Sequence, residues 1–136
     1  MKLVRLFPLL LCFLLFGSCE RTYQGAAEME VDFSWNSTKD AGKISPEIKI
    51  NKIPKGTRQF LVEIADLDCS ICNHGSGYIE YTGVSIIKTG AVKGSYVGPR
   101  PPPEKVHTYE ISVKALDEKE QVIGFGKRAR KYPSVK

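Results

Sequence analysis

Carboxylate, imidazole and phenol side chains are concentrated in two short segments, residues 66–74 and 96–109. The candidates for binding chemistry are Asp66, Asp68, His74, His107 and Tyr109. Imidazole N–H groups and a phenol can donate hydrogen bonds to an anion, and an aspartate that accepts from one ring nitrogen fixes a histidine's tautomer. Gly98 lets backbone amides approach a ligand, and Pro101 with its neighbouring prolines presets the loop. The two segments therefore predict an anion-binding pocket in which Asp66 orients a histidine.

Cys69 and Cys72 have the spacing Cys-Ser-Ile-Cys and allow three interpretations. In an oxidising, exported environment they can form a local disulfide. Their thiolates can instead bind zinc or copper together with His74, completed by Asp66 or His107. A thioredoxin-like redox role is disfavoured, because that motif opens a helix in an α/β unit and no such pattern surrounds these cysteines. The disulfide and the metal site both stay open from the sequence.

Alternating apolar residues predict the strands that must position these segments. The alternation covers residues 29–35, 48–50, 60–64, 109–115 and 121–125, with a strand-like stretch at 78–88. Residues 71–77 and 90–103 are predicted to be loops. No stretch of ten or more residues after the first 18 holds a helical period. The sequence thus predicts an all-β antiparallel sandwich with little helix, which the pattern alone does not separate from immunoglobulin-like or fibronectin-like domains.

The N-terminus has the pattern of an export signal over residues 1–18, with Lys2 and Arg5 before an apolar run at 6–16. That run is too short to cross a bilayer as a helix. Small residues directly before Cys19 resemble the processing site of bacterial lipoproteins, which predicts a lipid on Cys19 and a membrane-anchored exported protein. The alternative is ordinary cleavage near residue 18, with a plain thiol at Cys19. Residues 19–28 are predicted to be a tether, and 29–136 the domain.

Charge argues against nucleic acid as a partner. Removal of the signal leaves 18 basic and 15 acidic side chains, a net charge of +3, whereas binders of duplex DNA usually carry a pronounced basic stripe. Basic residues do gather near the C-terminus, at Lys127, Arg128, Arg130, Lys131 and Lys136. This group is predicted to be a solvated edge, with attraction to anionic lipid headgroups as a second interpretation.

The order of short motifs along the chain resembles the phosphatidylethanolamine-binding protein family. The motifs are Ser45-Pro46, Pro54-Lys55-Gly56, Asp66-Leu67-Asp68, His74, Gly98-Pro99-Arg100-Pro101-Pro102, His107-Thr108-Tyr109 and Ala115-Leu116-Asp117. The resemblance covers most of residues 44–125 and is strongest to the bacterial proteins that are similar to Raf kinase inhibitor protein. It implies a β-sandwich with a small pocket for phosphate-like anions or phospholipid headgroups. The residues that it places in the pocket are Asp66, His74, Gly98, Pro101, His107 and Tyr109.

We therefore expect an exported lipoprotein of the cell envelope that binds a small anionic ligand without turning it over. No cofactor or metal is expected. Catalysis is disfavoured because no serine or cysteine lies in a nucleophile motif and no phosphate loop ends in Lys-Ser or Lys-Thr. Because Gly75 follows His74 where the family has an aromatic residue, we also expect a more open pocket. The alternatives are transition-metal binding through Cys69, Cys72 and His74, or a protein-interaction sandwich without a small ligand.

Overall fold

The computed structural model of the chain describes residues 23–35 and 41–133, which form eight strands. The strands are β1 Ala27–Glu28, β2 Glu30–Phe33, β3 Ile48–Asn51, β4 Gln59–Asp66, β5 Asn73–Glu80, β6 Ile86–Ile87, β7 Val106–Leu116 and β8 Val122–Pro133. No helix occurs in these two ranges, so none of their residues forms a helix able to span a bilayer. The predicted signal over residues 1–18 and the predicted lipid on Cys19 lie outside the described residues and stay predictions.

The strands form two sheets. The larger has the order β1-β8-β7-β4-β5, and the smaller has the order β2-β3-β6. All pairings are antiparallel except β1 with β8, where Ala27 lies opposite Gly124 in a parallel pair. Ala27 and Glu28 fall in the segment that the sequence predicts to be a tether, so the sheet begins within that segment. The all-β sandwich is confirmed, with one parallel pair at an edge.

Strict alternation of apolar residues packs the two sheets face to face. The small sheet contributes Val31, Phe33, Ile48, Ile50 and Ile87, and the large sheet contributes Phe60, Val62, Ile64, Ile111, Val113 and Ala115; Met29, between β1 and β2, joins the same core. Every second side chain of a strand points to the same face, so each of these strands buries one face and exposes the other. Full burial of a single large apolar side chain stabilises by roughly 2–3 kcal/mol, which makes this shared core the main source of stability.

The sequence predicts a loop over residues 71–77, and this prediction is wrong for residues 73–77, which belong to β5. Residues 73–80 pair with β4, with Ala65 opposite Asn73. The strand lacks apolar alternation because glycines occupy positions 75 and 77, where another segment of the chain crosses it. A Cβ on Gly75 would lie 1.8 Å from the carbonyl oxygen of Ser95. Close backbone approach, and not a turn, therefore explains both glycines.

The basic segment near the C-terminus belongs to β8 over its described part. Arg130 donates from Nε to the carbonyl of Phe33, and both Arg130 and Arg128 form ion pairs with Asp32 on β2. Lys127 lies 3.5 Å from Glu110 on β7. These cations join β8 to its neighbours, so part of their charge is neutralised within the protein.

The same alternation places functional side chains at one end of the core. Asp66 is the last residue of β4 and continues the buried phase of Phe60, Val62 and Ile64. The β4–β7 register sets Asp66 opposite Tyr109. The end of β4, the start of β5 and the start of β7 thus meet at one end of the interior.

Candidate functional site

Four of the predicted site residues form one cluster at this end of the sandwich: Asp66, His74, His107 and Tyr109. The Asp66 carboxylate accepts a hydrogen bond from His107 Nδ1 at 2.8 Å and lies 3.8 Å from His74 Nε2. The Tyr109 ring lies between the two imidazoles, with ring centroids 5.1 Å from His74 and 6.3 Å from His107. The fold therefore brings together an imidazole from each of the two segments.

Asp66 is the centre of this cluster, and both of its carboxylate oxygens have partners. Oδ1 accepts from the backbone amide of Asp68 at 2.9 Å, and Oδ2 accepts from His107. Burial acts to raise the pKa of Asp66, but the His107 N–H, the Asp68 amide and the Tyr109 hydroxyl outweigh it and hold the pKa below its ordinary value. The carboxylate is therefore ionised at neutral pH. Asp68 has a structural role, because its Oδ2 accepts a hydrogen bond from the backbone amide of Thr108 at 2.6 Å.

His74 is held in one tautomer by the loop that follows β6. Its Nδ1 lies 2.9 Å from the carbonyl oxygen of Val97 and 3.1 Å from that of Gly98. Because both partners only accept, Nδ1 must carry the proton. The other ring nitrogen, Nε2, is buried and has no hydrogen-bond partner among the described residues, and the His74 side chain is only 6% exposed. Buried polar atoms without partners are uncommon in folded proteins and call for an explanation.

Tyr109 forms the floor of the cluster and is fully buried. Its hydroxyl accepts a hydrogen bond from the backbone amide of Arg100 at 3.2 Å. Burial raises the pKa of Tyr109 to about 12, and the nearby Asp66 charge acts in the same direction. The phenol is therefore neutral in the physiological range and can donate a hydrogen bond.

The remaining two predicted residues have different positions. Gly98 is buried against residue 41, where a Cβ would lie 1.7 Å from the Ala41 carbonyl oxygen. This close packing holds the Gly98 carbonyl against His74, so Gly98 contributes by positioning. Pro101 is half-buried and takes no part in the hydrogen bonds of the cluster within the described residues. Its neighbour Arg100 contacts the cluster through the backbone amide that donates to Tyr109, and the pocket role of Pro101 stays a prediction.

The cluster is more enclosed than the sequence predicts. The side chains of Asp66 and His74 are 3% and 6% exposed, and that of His107 is 16% exposed. The expected opening next to Gly75 is absent because the segment containing Ser95 packs against that glycine. His107 is the most accessible of the three ionisable groups, so a ligand would approach from its side.

Cys69 and Cys72 form a disulfide in the structure, with their Cα atoms 5.4 Å apart. It closes a four-residue loop between β4 and β5 at the edge of the cluster. The predicted set of metal ligands, Cys69, Cys72 and His74 with Asp66 or His107, is met in part. Among the described residues, the group with converging ligand atoms is Asp66, Cys72 and His74.

Two contributors were missed at the sequence level. The carbonyl of Val97 gives no signal in a sequence, because any residue supplies a carbonyl. Trp35, in contrast, continues the inward alternation that begins at Met29, and its ring packs edge-on against Tyr109 and Tyr132. Its indole Nε1 is buried without a partner among the described residues. A second unpartnered polar atom therefore belongs to a ring that packs against Tyr109.

A separate concavity of about 710 Å³ lies on the outer face of the large sheet and contains none of the predicted site residues. Its charged side chains are paired, with Lys114 2.6 Å from Glu63 and Lys127 3.5 Å from Glu110. Paired charges on an exposed sheet face need no ligand. Chemistry therefore favours the smaller, enclosed cluster on the inner face as the functional site.

Comparison with known proteins agrees with this fold. A family model described as phosphatidylethanolamine-binding protein matches residues 22–133. The chain therefore belongs to the phosphatidylethanolamine-binding protein family, as the order of its motifs predicts. No curated protein matches the sequence significantly.

Two solved structures share the fold. One is Escherichia coli YbcL, described as a new member of the mammalian phosphatidylethanolamine-binding protein family, with a TM-score of 0.63 and 18% identity. The other is CT736 of Chlamydia trachomatis, described as a homologue of such proteins, with a TM-score of 0.60 and 17% identity. Each match covers 81% of this chain and all of the other chain.

Proposed function

We propose that this chain is an exported lipoprotein that binds a small anionic ligand of the phosphate or phospholipid-headgroup type in the Asp66–His74–His107–Tyr109 cluster. The fold family supports a ligand-binding role. The observation that carries the proposal is the unpartnered, buried Nε2 of His74 beside the Asp66–His107 pair. A ligand oxygen at this position would give that nitrogen the partner that it lacks.

The tautomers determine when such a ligand can bind. His74 and His107 each use Nδ1–H within the protein, so a neutral ring presents a lone pair at Nε2. An Nε2–H that can donate to an anion requires the protonated ring, which also supplies a positive charge. We therefore expect anion binding to strengthen as the pH falls.

Binding without turnover is supported by the charge states of the other two groups. The pKa of Asp66 is lowered and that of Tyr109 is raised. Neither shift moves the group toward neutral pH, where general acid–base catalysis is most efficient. Phosphoethanolamine incubated with the protein should therefore be recovered unchanged by ³¹P NMR, and release of phosphate would contradict this part of the proposal.

The test of binding is calorimetric titration of the purified full-length chain with inorganic phosphate, with phosphoethanolamine and with phosphatidylethanolamine vesicles. Binding of all three at pH 6, lost in His107→Ala, would support the shared pocket. Binding of vesicles alone would identify the lipid surface as the source of the ligand. If the correctly folded chain binds none of the three, the proposal is overturned and a protein-interaction module is favoured.

Lipid attachment needs its own test, because Cys19 lies outside the described residues. Cells expressing the full-length chain would be labelled with an alkyne analogue of palmitate. We expect label on the native chain and none on Cys19→Ser, with the native chain in the membrane fraction. Equal labelling of both chains would contradict anchoring through Cys19.

A further inference from the structure

Among the described residues, three possible metal-ligand atoms converge at the edge of the cluster. They are an oxygen of Asp66, a ring nitrogen of His74 and Sγ of Cys72, and these atoms all lie within 4.8 Å of one another. Two of them, the Asp66 oxygen and His74 Nε2, are 3.8 Å apart. Acceptors that face one another repel unless a proton or a cation lies between them.

Neighbouring groups hold two of these ligands in the form that a metal ion requires. The carbonyls of Val97 and Gly98 bind Nδ1–H of His74, which leaves the lone pair on Nε2. His107 Nδ1 and the Asp68 amide hold the two oxygens of Asp66. Metal-binding histidines in proteins usually donate their other ring N–H to a carbonyl or carboxylate in this way.

We propose that reduction of the Cys69–Cys72 disulfide creates a binding site for a divalent transition-metal ion, of which zinc is the type, with Asp66, Cys72 and His74 as ligands. Thiolate, imidazole and carboxylate together suit such an ion. Three protein ligands leave a fourth position open for water or a small anion. The proposal does not depend on anion binding by the protonated histidines.

The reductant would be a dithiol. Its two S–H bonds and the Cys69–Cys72 bond break, two cysteine thiols form, and the dithiol leaves as its own disulfide, so two electrons and two protons move together. Cys72 then loses its thiol proton to solvent when the metal binds. The disulfide is accessible for this exchange, since Cys72 is exposed in the loop and Cys69 is half-buried.

The geometry is compatible with a bound ion. Zinc distances of about 2.0–2.3 Å place neighbouring ligand atoms of a tetrahedral site roughly 3.3–3.8 Å apart. The Asp66–His74 separation of 3.8 Å is within about 0.5 Å of the spacing for an oxygen and a nitrogen ligand. Cys72 would need to move inward by about 1 Å, which release from Cys69 allows.

The same arrangement argues against a cysteine nucleophile. In a Cys-His-Asp triad, the carboxylate binds one ring nitrogen and the sulfur faces the other. Here the Asp66 carboxylate faces His74 Nε2, and Nδ1, which would bind the carboxylate or face the sulfur in a triad, is bound to backbone carbonyls.

The experiment is a titration of the full-length chain with Co²⁺, which reports thiolate coordination by a charge-transfer band. The matched variants are Cys69→Ser and Cys72→Ser, since each removes the disulfide and opens the same loop. Cys69→Ser should bind one Co²⁺ and show the band without reductant. Cys72→Ser should bind at least about 100-fold more weakly and show no band, since it lacks a direct ligand. Native protein should bind only after reduction by a phosphine, which does not compete for the metal as a thiol does.

His74→Gln in the Cys69→Ser background supplies a second readout. It keeps Cys72 as a thiol and should lose binding, while circular dichroism shows that the fold is retained. Equal binding by Cys69→Ser and Cys72→Ser, or equal binding by the oxidised and reduced native chains, would overturn the proposal. Phosphate affinity is measured in a separate titration of the oxidised chain. The result of the cobalt titration therefore neither supports nor contradicts the anion-binding proposal.

Discussion

Replacing Asp66 with asparagine should destabilise the protein by about 2–3 kcal/mol. Asp66 uses one oxygen for the Asp68 amide and the other for His107 Nδ1. Asparagine has a single acceptor oxygen, so one of these donors would face an amide NH₂ group. Hydrogen bonds to charged groups are worth about 1.5–3 kcal/mol, and an unsatisfied buried donor costs about 1–3 kcal/mol. Urea unfolding at pH 7, followed by fluorescence of the single tryptophan, measures the difference.

The effect of this substitution should depend on pH. Because the folded pKa of Asp66 is depressed, the stability that its carboxylate contributes is fully present above the unfolded pKa of about 3.9. That contribution is lost as the pH falls through the lower folded pKa. The difference in unfolding free energy between the native and Asp66→Asn chains should therefore shrink between pH 7 and pH 3.

Asp117→Asn is the matched control for this change. One oxygen of Asp117 accepts from both the Lys119 and the Gln121 amides, at 2.8 and 2.9 Å. Asparagine keeps that oxygen, so the cost should be within about 0.5 kcal/mol. Equal losses for the two variants, or a loss at Asp66 that does not change with pH, would refute the reasoning about the carboxylate.

Three further predictions concern positions around the cluster. Gly98→Ala places a Cβ 1.7 Å from the Ala41 carbonyl oxygen and should cost about 3 kcal/mol, whereas Gly42→Ala, whose nearest atom is 3.7 Å away, should unfold at nearly the native urea concentration. Cys69→Ser should lower the free energy of unfolding by about 2 kcal/mol, the chain entropy of a four-residue loop, and a loss of twice that size would mean that the disulfide does more than close the loop. Spectrophotometric titration should show a phenol that ionises at about pH 12 and is missing in Tyr109→Phe, and an unchanged titration curve in that variant would contradict its burial.

Strand alternation made much of the fold and part of the site predictable. Phe60, Val62 and Ile64 set a phase that reaches Asp66, and Ile111 and Val113 set one that includes Tyr109 and His107. Because period-two alternation fixes which side chains share a face, the convergence of these three residues on one face follows from sequence. Which of these residues lie opposite each other depends also on the register of the strands. Apolar patterning constrains that register without fixing it.

His74 and Cys72 were harder to place because their segment lacks apolar alternation. Glycines at 75 and 77 made β5 resemble a loop, although they serve the close crossing of residues 93–95. The pairing of Ala65 with Asn73, past an irregularity in β4, turns His74 inward. A sequence does not report such an irregularity, so strand alternation could not predict the burial of His74, and its convergence with Cys72 was only one of the alternatives left open.

The most direct test of a shared binding site is NMR of the two imidazoles during a phosphate titration at pH 6. The chain has only two histidines, so His107→Ala assigns both sets of ring resonances. If one anion contacts both rings, the His74 and His107 signals should shift with the same midpoint, and the midpoint should rise at pH 8. Shifts confined to one ring, or none at saturating phosphate, would contradict a pocket formed by the two histidines.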